Sequence, residues 1–246
     1  MTLLYLVTES DNDAVFYTLC AKKLTGTVYD PVPMKNRKGD GVSAVKEQLH
    51  RALLAARAAA GSSQAVAFIA AIDNDRAPHD EHGALETGSD AGRRTGTGLD
   101  RQKLIRTERD RPKRLEWMMT AIEKVLKPDR GKWPMPVALA VPVEMVESWI
   151  VRSLREHPPQ PTPHFSKADS DRARGYYAPS GPPPQWKDLA AEEQAGSGCA
   201  GKHEFYQHVV NRLDADALAE RSLSFRMFKE WLDAWPRQDE AANSPT

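Results

Sequence analysis

Three sets of carboxylates follow apolar runs in this chain: Glu9 after "LLYLV", Asp73 and Asp75 after "FIAAI", and Glu144 with Glu147 after "MPVALAV". Two residues apart in extended backbone, Asp73 and Asp75 leave the same side of the strand and can share one ion. Carboxylates gathered closely raise one another's pKa unless a cation neutralises them. Oxygen ligands with no His or Cys beside them suit Mg2+, or Mn2+ in its place, and such sites leave positions for water and phosphate. Chemistry at phosphorus is the reaction class this points to. Each acid also has a plainer reading. Asp11 or Asp13 can cap the first helix, and Glu144 and Glu147, three apart, suit the first turn of a helix, where the dipole favours them.

Such acids act together only if the backbone delivers them to one edge. "LLYLVT" (3–8) reads as a short strand, and "DAVFYTLCAKKL" after it has helical spacing, with Gly26 as the stop. "TVYDPV" is a second strand, and Pro31 suits a sheet edge. "VSAVKEQLHRALLAARAAA" predicts a helix with Val42, Val45, Leu49, Leu53 and Leu54 on its buried face. "QAVAFIAAIDND" is almost continuously apolar, as expected of a central parallel strand covered on both faces. "PKRLEWMMTAIEKVLK" is a helix with Pro112 in its first turn, "MPVALAV" a fourth strand and "VEMVESWIVRSL" a fourth helix. Met118, Met119, Trp117 and Trp149 fall at core-facing positions. The expected fold class is therefore α/β: a Rossmann-like, mostly parallel sheet of about four strands with helices on both faces. Ligands of such sheets bind beyond the carboxyl ends of the strands, where the acids stand.

Two stretches break the alternation. Residues 76–111 form a long polar, Gly-containing loop, a kind often functional, and 157–200 shift to Pro, Gly and Ser, predicting a linker or wrapping arm. Residues 1–156 are thus expected to make the core that carries the acids, 201–236 a C-terminal helical appendix with Phe225, Phe228, Trp231 and Trp235 as a buried stripe, and 237–246 a disordered tail. "HDEH" at 79–82 has metal-friendly residue types, but its spacing matches no zinc signature.

Lys plus Arg and Asp plus Glu both number 34, so the chain is no polycation and contact with nucleic acid needs a local patch. One exists: nine basic residues against three acids between Arg93 and Arg114, with Arg93, Arg94, Arg101, Lys103 and Arg106 as candidate phosphate contacts. The stretch "RTERDRPKR" mixes signs and equally suits a solvated loop. Cys20 and Cys199 lack metal-ligand spacing, and the N-terminal apolar run is too short for a signal or membrane span, so a cytoplasmic protein without a membrane partner is expected. No Gly-rich dinucleotide loop, Walker lysine loop or nucleophile elbow is present.

The order "LVTESDNDAVF", "AIDND", "PVEMVESW" resembles the Toprim fold of topoisomerases, primases and OLD-type nucleases, in which a Glu follows the first strand and an Asp-x-Asp pair the third. "KHEFYQHVVNRLDADALAERSLSFRMFKEWL" is similar to the tail of a bacterial Toprim-like family of unknown function associated with defence loci, through Lys202, Ser222, Ser224, Phe225 and Phe228. The likeness covers 1 to about 155 and 200–232. Two positions depart from it: Ser10 stands where family members have Gly, and Asn12 where they have a small Ser or Thr before the following acid, here Asp13.

The resemblance implies a metal-dependent nuclease acting on DNA or RNA, in defence against phage or mobile elements. Glu9 would be a metal ligand or general base, Asp73 and Asp75 metal ligands, Glu144 or Glu147 the remainder of an acidic ring, and Lys202 a stabiliser of charge on phosphorus. Two alternatives stay open: a non-catalytic Toprim-like subunit docking on an ATPase partner, and a receiver-like domain phosphorylated at Asp73.

Overall fold

The computed structural model describes residues 1–34, 42–73, 114–127, 129–142, 146–156 and 186–236. Its centre is a four-stranded, all-parallel sheet in the order β2-β1-β3-β4, built from β1 (Thr2–Val7), β2 (Tyr29–Pro33), β3 (Val66–Ala71) and β4 (Val137–Ala140). The expected α/β architecture is present. The Pro-bearing strand β2 lies at the edge, where a missing N–H costs no ladder bond.

Both faces of the central strands are buried, and the two-residue period sorts their side chains. Leu4, Leu6, Ala67, Ile69, Ala71, Ala138 and Ala140 enter one core, while Tyr5, Val7, Val66, Phe68, Ala70, Val137 and Leu139 enter the other. The second core is closed by α2 (Val42–Gly61) and α3 (114–126), the latter through Met118, Ile122, Val125 and Leu126. Leu54, expected inward, is 46% exposed; the buried stripe of α2 runs instead through Val45, Leu49, Ala52, Leu53 and Ala56, which the 3.6-residue period keeps on one side.

The first core is aromatic. It is formed by α1 (Asp11–Thr25), α4 (Val146–Leu154), α6 (Lys202–Arg212), α7 (Ala215–Arg221) and α8 (Leu223–Asp233). Alanines on β3 and β4 leave room for Phe16, Tyr17, Trp149, Phe225 and Phe228, whose rings meet edge to face or stacked at 5.2–6.4 Å. The C-terminal helices therefore close one face of the sheet rather than hanging from it. The Ser-x-Ser-Phe segment holds this packing in place. Ser222 caps α8 by accepting the N–H of Phe225 at 3.2 Å, and Ser224 accepts the buried indole N–H of Trp149 at 2.7 Å. Trp235 donates to the carbonyl of Val137 at 3.1 Å and so covers the edge strand β4.

The stretch expected to be a linker over 157–200 contains α5 (Trp186–Ser197), docked by Trp186 and Leu189 against Val151 and tied by Arg155 to Glu192 and Glu193. Its composition of Trp, Leu, Ala and Glu favours a helix once the prolines end. Among the described residues no helix is long and apolar enough to cross a membrane. The expected loop at 76–111 and tail at 237–246 lie outside the described residues.

Candidate functional site

The connection leaving β1 enters α1 on the aromatic face, whereas the next described helix after β3, α3, packs on the opposite face. Neighbouring strands whose connections part in this way open a crevice at their carboxyl ends, the usual ligand position in a parallel sheet. Val7 pairs with Ala70, so the segments beyond β1 and β3 emerge side by side. Glu9 and Asp73 occupy this crevice, and the backbone N–H of Asp73 donates to Glu9 Oε1 at 2.9 Å.

The turn after β1 is fixed from within. Thr8 donates its hydroxyl to the carbonyl of Ser10 at 2.7 Å, and Ser10 caps α1 by accepting the N–H of Asp13 at 3.3 Å. Ser10 is thus the N-cap that the sequence assigned to Asp11 or Asp13. Those two acids occupy the first turn, Lys22 and Lys23 the last, and Gly26 ends the helix at φ 73° with its N–H on the carbonyl of Lys22. The cap aims the positive end of α1 at the crevice and releases Asp13 for another part.

That part is electrostatic. Burial pushes the Asp13 carboxyl up to about 6, and the negative charge of Glu147 adds to it, against the opposing pull of the Ser10 hydroxyl and of Lys202. Glu147 sits in the first turn of α4 and Lys202 opens α6, with Lys202 Nζ 3.9 Å from Glu147 Oε1. Two phenols complete the arrangement, and no motif in the sequence marks either of them. Tyr17 is held protonated chiefly by burial and then by Asp73 and Asp13, and Tyr206 by burial and then by Glu147, Asp13 and Asp73. The Tyr206 hydroxyl is buried with no hydrogen-bond partner among the described residues, a donor set within the field of three carboxylates.

Four expected site residues therefore belong to one neighbourhood: Glu9 and Asp73 at one end, Glu147 and Lys202 beside Asp13 at the other, with Tyr17 and Tyr206 in the field of both. Asp75, Glu144 and the basic residues Arg93, Arg94, Arg101, Lys103 and Arg106 lie outside the described residues, as does "HDEH". Among the described residues no three His, Cys, Asp or Glu side chains are gathered tightly enough to hold an ion by themselves. The donor set still suits a hard divalent cation: its ligating atoms are all oxygen, and the Asp73 amide holds the Glu9 carboxylate at the base of the Asp73 side chain. Comparison with family models, curated proteins and solved structures finds no match to this chain.

Proposed function

We propose that this chain is a Mg2+- or Mn2+-dependent phosphodiesterase acting on nucleic acid, a nuclease, with its site at the crevice between β1 and β3. The observation that carries the reading is the bond between the Asp73 amide and the Glu9 carboxylate, which gathers acids from two strands where a parallel sheet binds its ligand. The Toprim resemblance calls for a Glu after the first strand and an Asp after the third, and extends the proposal to defence against phage or mobile elements.

A divalent cation held by Glu9 and Asp73, with Asp75 and Glu144 or Glu147 as further candidates, would polarise a phosphoryl oxygen and lower the pKa of water. The chain's own residues do the remaining work. Glu9, oriented by the Asp73 amide, either holds the ion or takes the proton of the attacking water. Lys202, half exposed, meets the charge that grows on phosphorus. The N-terminus of α1, which follows Glu9 directly, would add its positive end to the same side, offset by Asp11 and Asp13 in its first turn.

The test is cleavage of end-labelled single- and double-stranded DNA and RNA with Mg2+, with Mn2+ and with EDTA, by the native chain and by Glu9→Gln. Metal-dependent cleavage lost in Glu9→Gln is expected. Cleavage that survives EDTA or the substitution would overturn the proposal.

A further inference from the structure

A concave pocket of about 390 Å3 opens beside the acidic crevice, between α1 and the edge strand β2. Its walls are aliphatic, from Leu6, Val15, Leu19, Pro31 and Met34, and its volume falls in the range of small-molecule sites. The acidic cluster adjoins it at three places on two segments, the turn from β1 into α1 and the start of α6. Thr8 lines the pocket while Glu9 faces the crevice; Asp11 lines it while Asp13 joins the cluster; His203 lines it while Lys202 reaches Glu147. Consecutive Cα atoms are about 3.8 Å apart, so a group seated in the pocket lies within one nucleotide's reach of Glu9.

The polar atoms of the pocket select its occupant. Thr8 gives its proton to the carbonyl of Ser10, and Thr18 gives its proton to the carbonyl of Ala14 at 2.8 Å, so both hydroxyls offer lone pairs to a ligand. Asp11 is an acceptor as well when ionised, and it repels phosphate. An aliphatic slot edged with these three acceptors, beside a His203 imidazole that can donate or accept, suits a flat apolar group that carries amino donors.

Resting on the phosphodiesterase reading, we propose that this pocket is a nucleobase subsite: it takes the base next to the phosphate handled by the acidic cluster, preferring bases with an exocyclic amino group. Adenine and cytosine present that donor and uracil does not. Such a subsite requires an unpaired base, which makes single strands or frayed ends the preferred substrate.

The test is calorimetric titration of the intact chain with AMP, CMP, UMP and ribose 5-phosphate in the presence of Mg2+. AMP and CMP are expected to bind at least about tenfold more tightly than ribose 5-phosphate, with UMP between them. Ala14→Leu, which fills the pocket from a helical position, should erase the advantage of the base and leave ribose 5-phosphate binding as it was. Thr18→Leu fills the pocket from the next turn and replaces Ala14→Leu should thermal melting show that variant to be unfolded. Asp11→Asn should narrow the gap between AMP and UMP. Equal affinity for AMP and ribose 5-phosphate, or a base advantage that survives both filling variants, would overturn the subsite. The two proposals fail separately. A base advantage without cleavage by any form of the chain keeps the subsite and removes the nuclease, and metal-dependent cleavage without a base advantage does the reverse.

Discussion

The amide of Asp73 donates to the carboxylate of Glu9 across 2.9 Å, and this bond ties the end of the first strand to the end of the third. It gives Glu9 two separable duties, one as a hydrogen-bond acceptor and one as a charge. Glu9→Gln keeps an oxygen acceptor and loses the charge, so it should fold like the native chain and lose metal-dependent cleavage by roughly 100-fold or more. Glu9→Ala should also take away the carboxylate acceptor of the part-buried Asp73 amide, at about 1–3 kcal/mol of stability by urea unfolding. Equal stability of the two variants would separate the hydrogen bond from the fold.

Asp13 predicts how stability follows pH. Its carboxyl sits at about 6 in the folded chain against 3.8 ordinarily. Between those values the folded state holds a proton that the unfolded state has released, so stability falls as pH rises through the window, by at most about 3 kcal/mol. Below pH 3.8 both states are protonated and the loss vanishes. Asp13→Asn should flatten this part of the profile and exceed the native chain in stability at neutral pH. Parallel profiles for the two proteins would contradict the assignment.

Lys202 and Glu147 are 3.9 Å apart, with the lysine side chain 46% exposed. An ion pair at this length with a solvent-exposed lysine contributes little to folding, and Lys202→Met should change stability by less than about 1 kcal/mol. It should nevertheless lower the cleavage rate and raise the Asp13 titration, because Lys202 is one of the groups that hold that carboxyl down. Carboxyl chemical shifts followed against pH would register this.

Truncation tests whether the C-terminal helices are part of the core. Removing residues after 200 would uncover Phe16, Tyr17 and Trp149, which pack against Tyr206, Phe225 and Phe228. The remainder should lose cooperative unfolding. Ser224→Ala, a gentler change, leaves the buried Trp149 N–H without its acceptor and should cost about 1–3 kcal/mol. A shortened chain that melts as sharply as the full one would refute an integral role.

The strands and their parallel direction were legible because Leu3–Val7 and Val66–Ile72 are nearly unbroken apolar runs separated by helix-length amphipathic segments. Glu9 and Asp73 were legible for the same reason, since acids directly after buried strands reach the ligand edge. Asp13 was harder to read: an acid in the first helical turn already has a sufficient local explanation, and only the packing of α4 and α6 against α1 gives it Glu147 and Lys202 as neighbours. Tyr17 and Tyr206 are buried helix residues, and nothing in their local sequence marks them for a site. That their phenols lie in the field of the acids is a tertiary fact no local pattern holds. The helix from Trp186 was hidden by the prolines that precede it in the same window.

If Glu9 and Asp73 share a divalent cation, a Mn2+-soaked crystal read by anomalous diffraction shows it most directly. An anomalous peak between the two carboxylates, absent from Glu9→Gln crystals soaked alike, is the expected result. Soaked native crystals with no peak there, or with Mn2+ bound only elsewhere, would contradict the account.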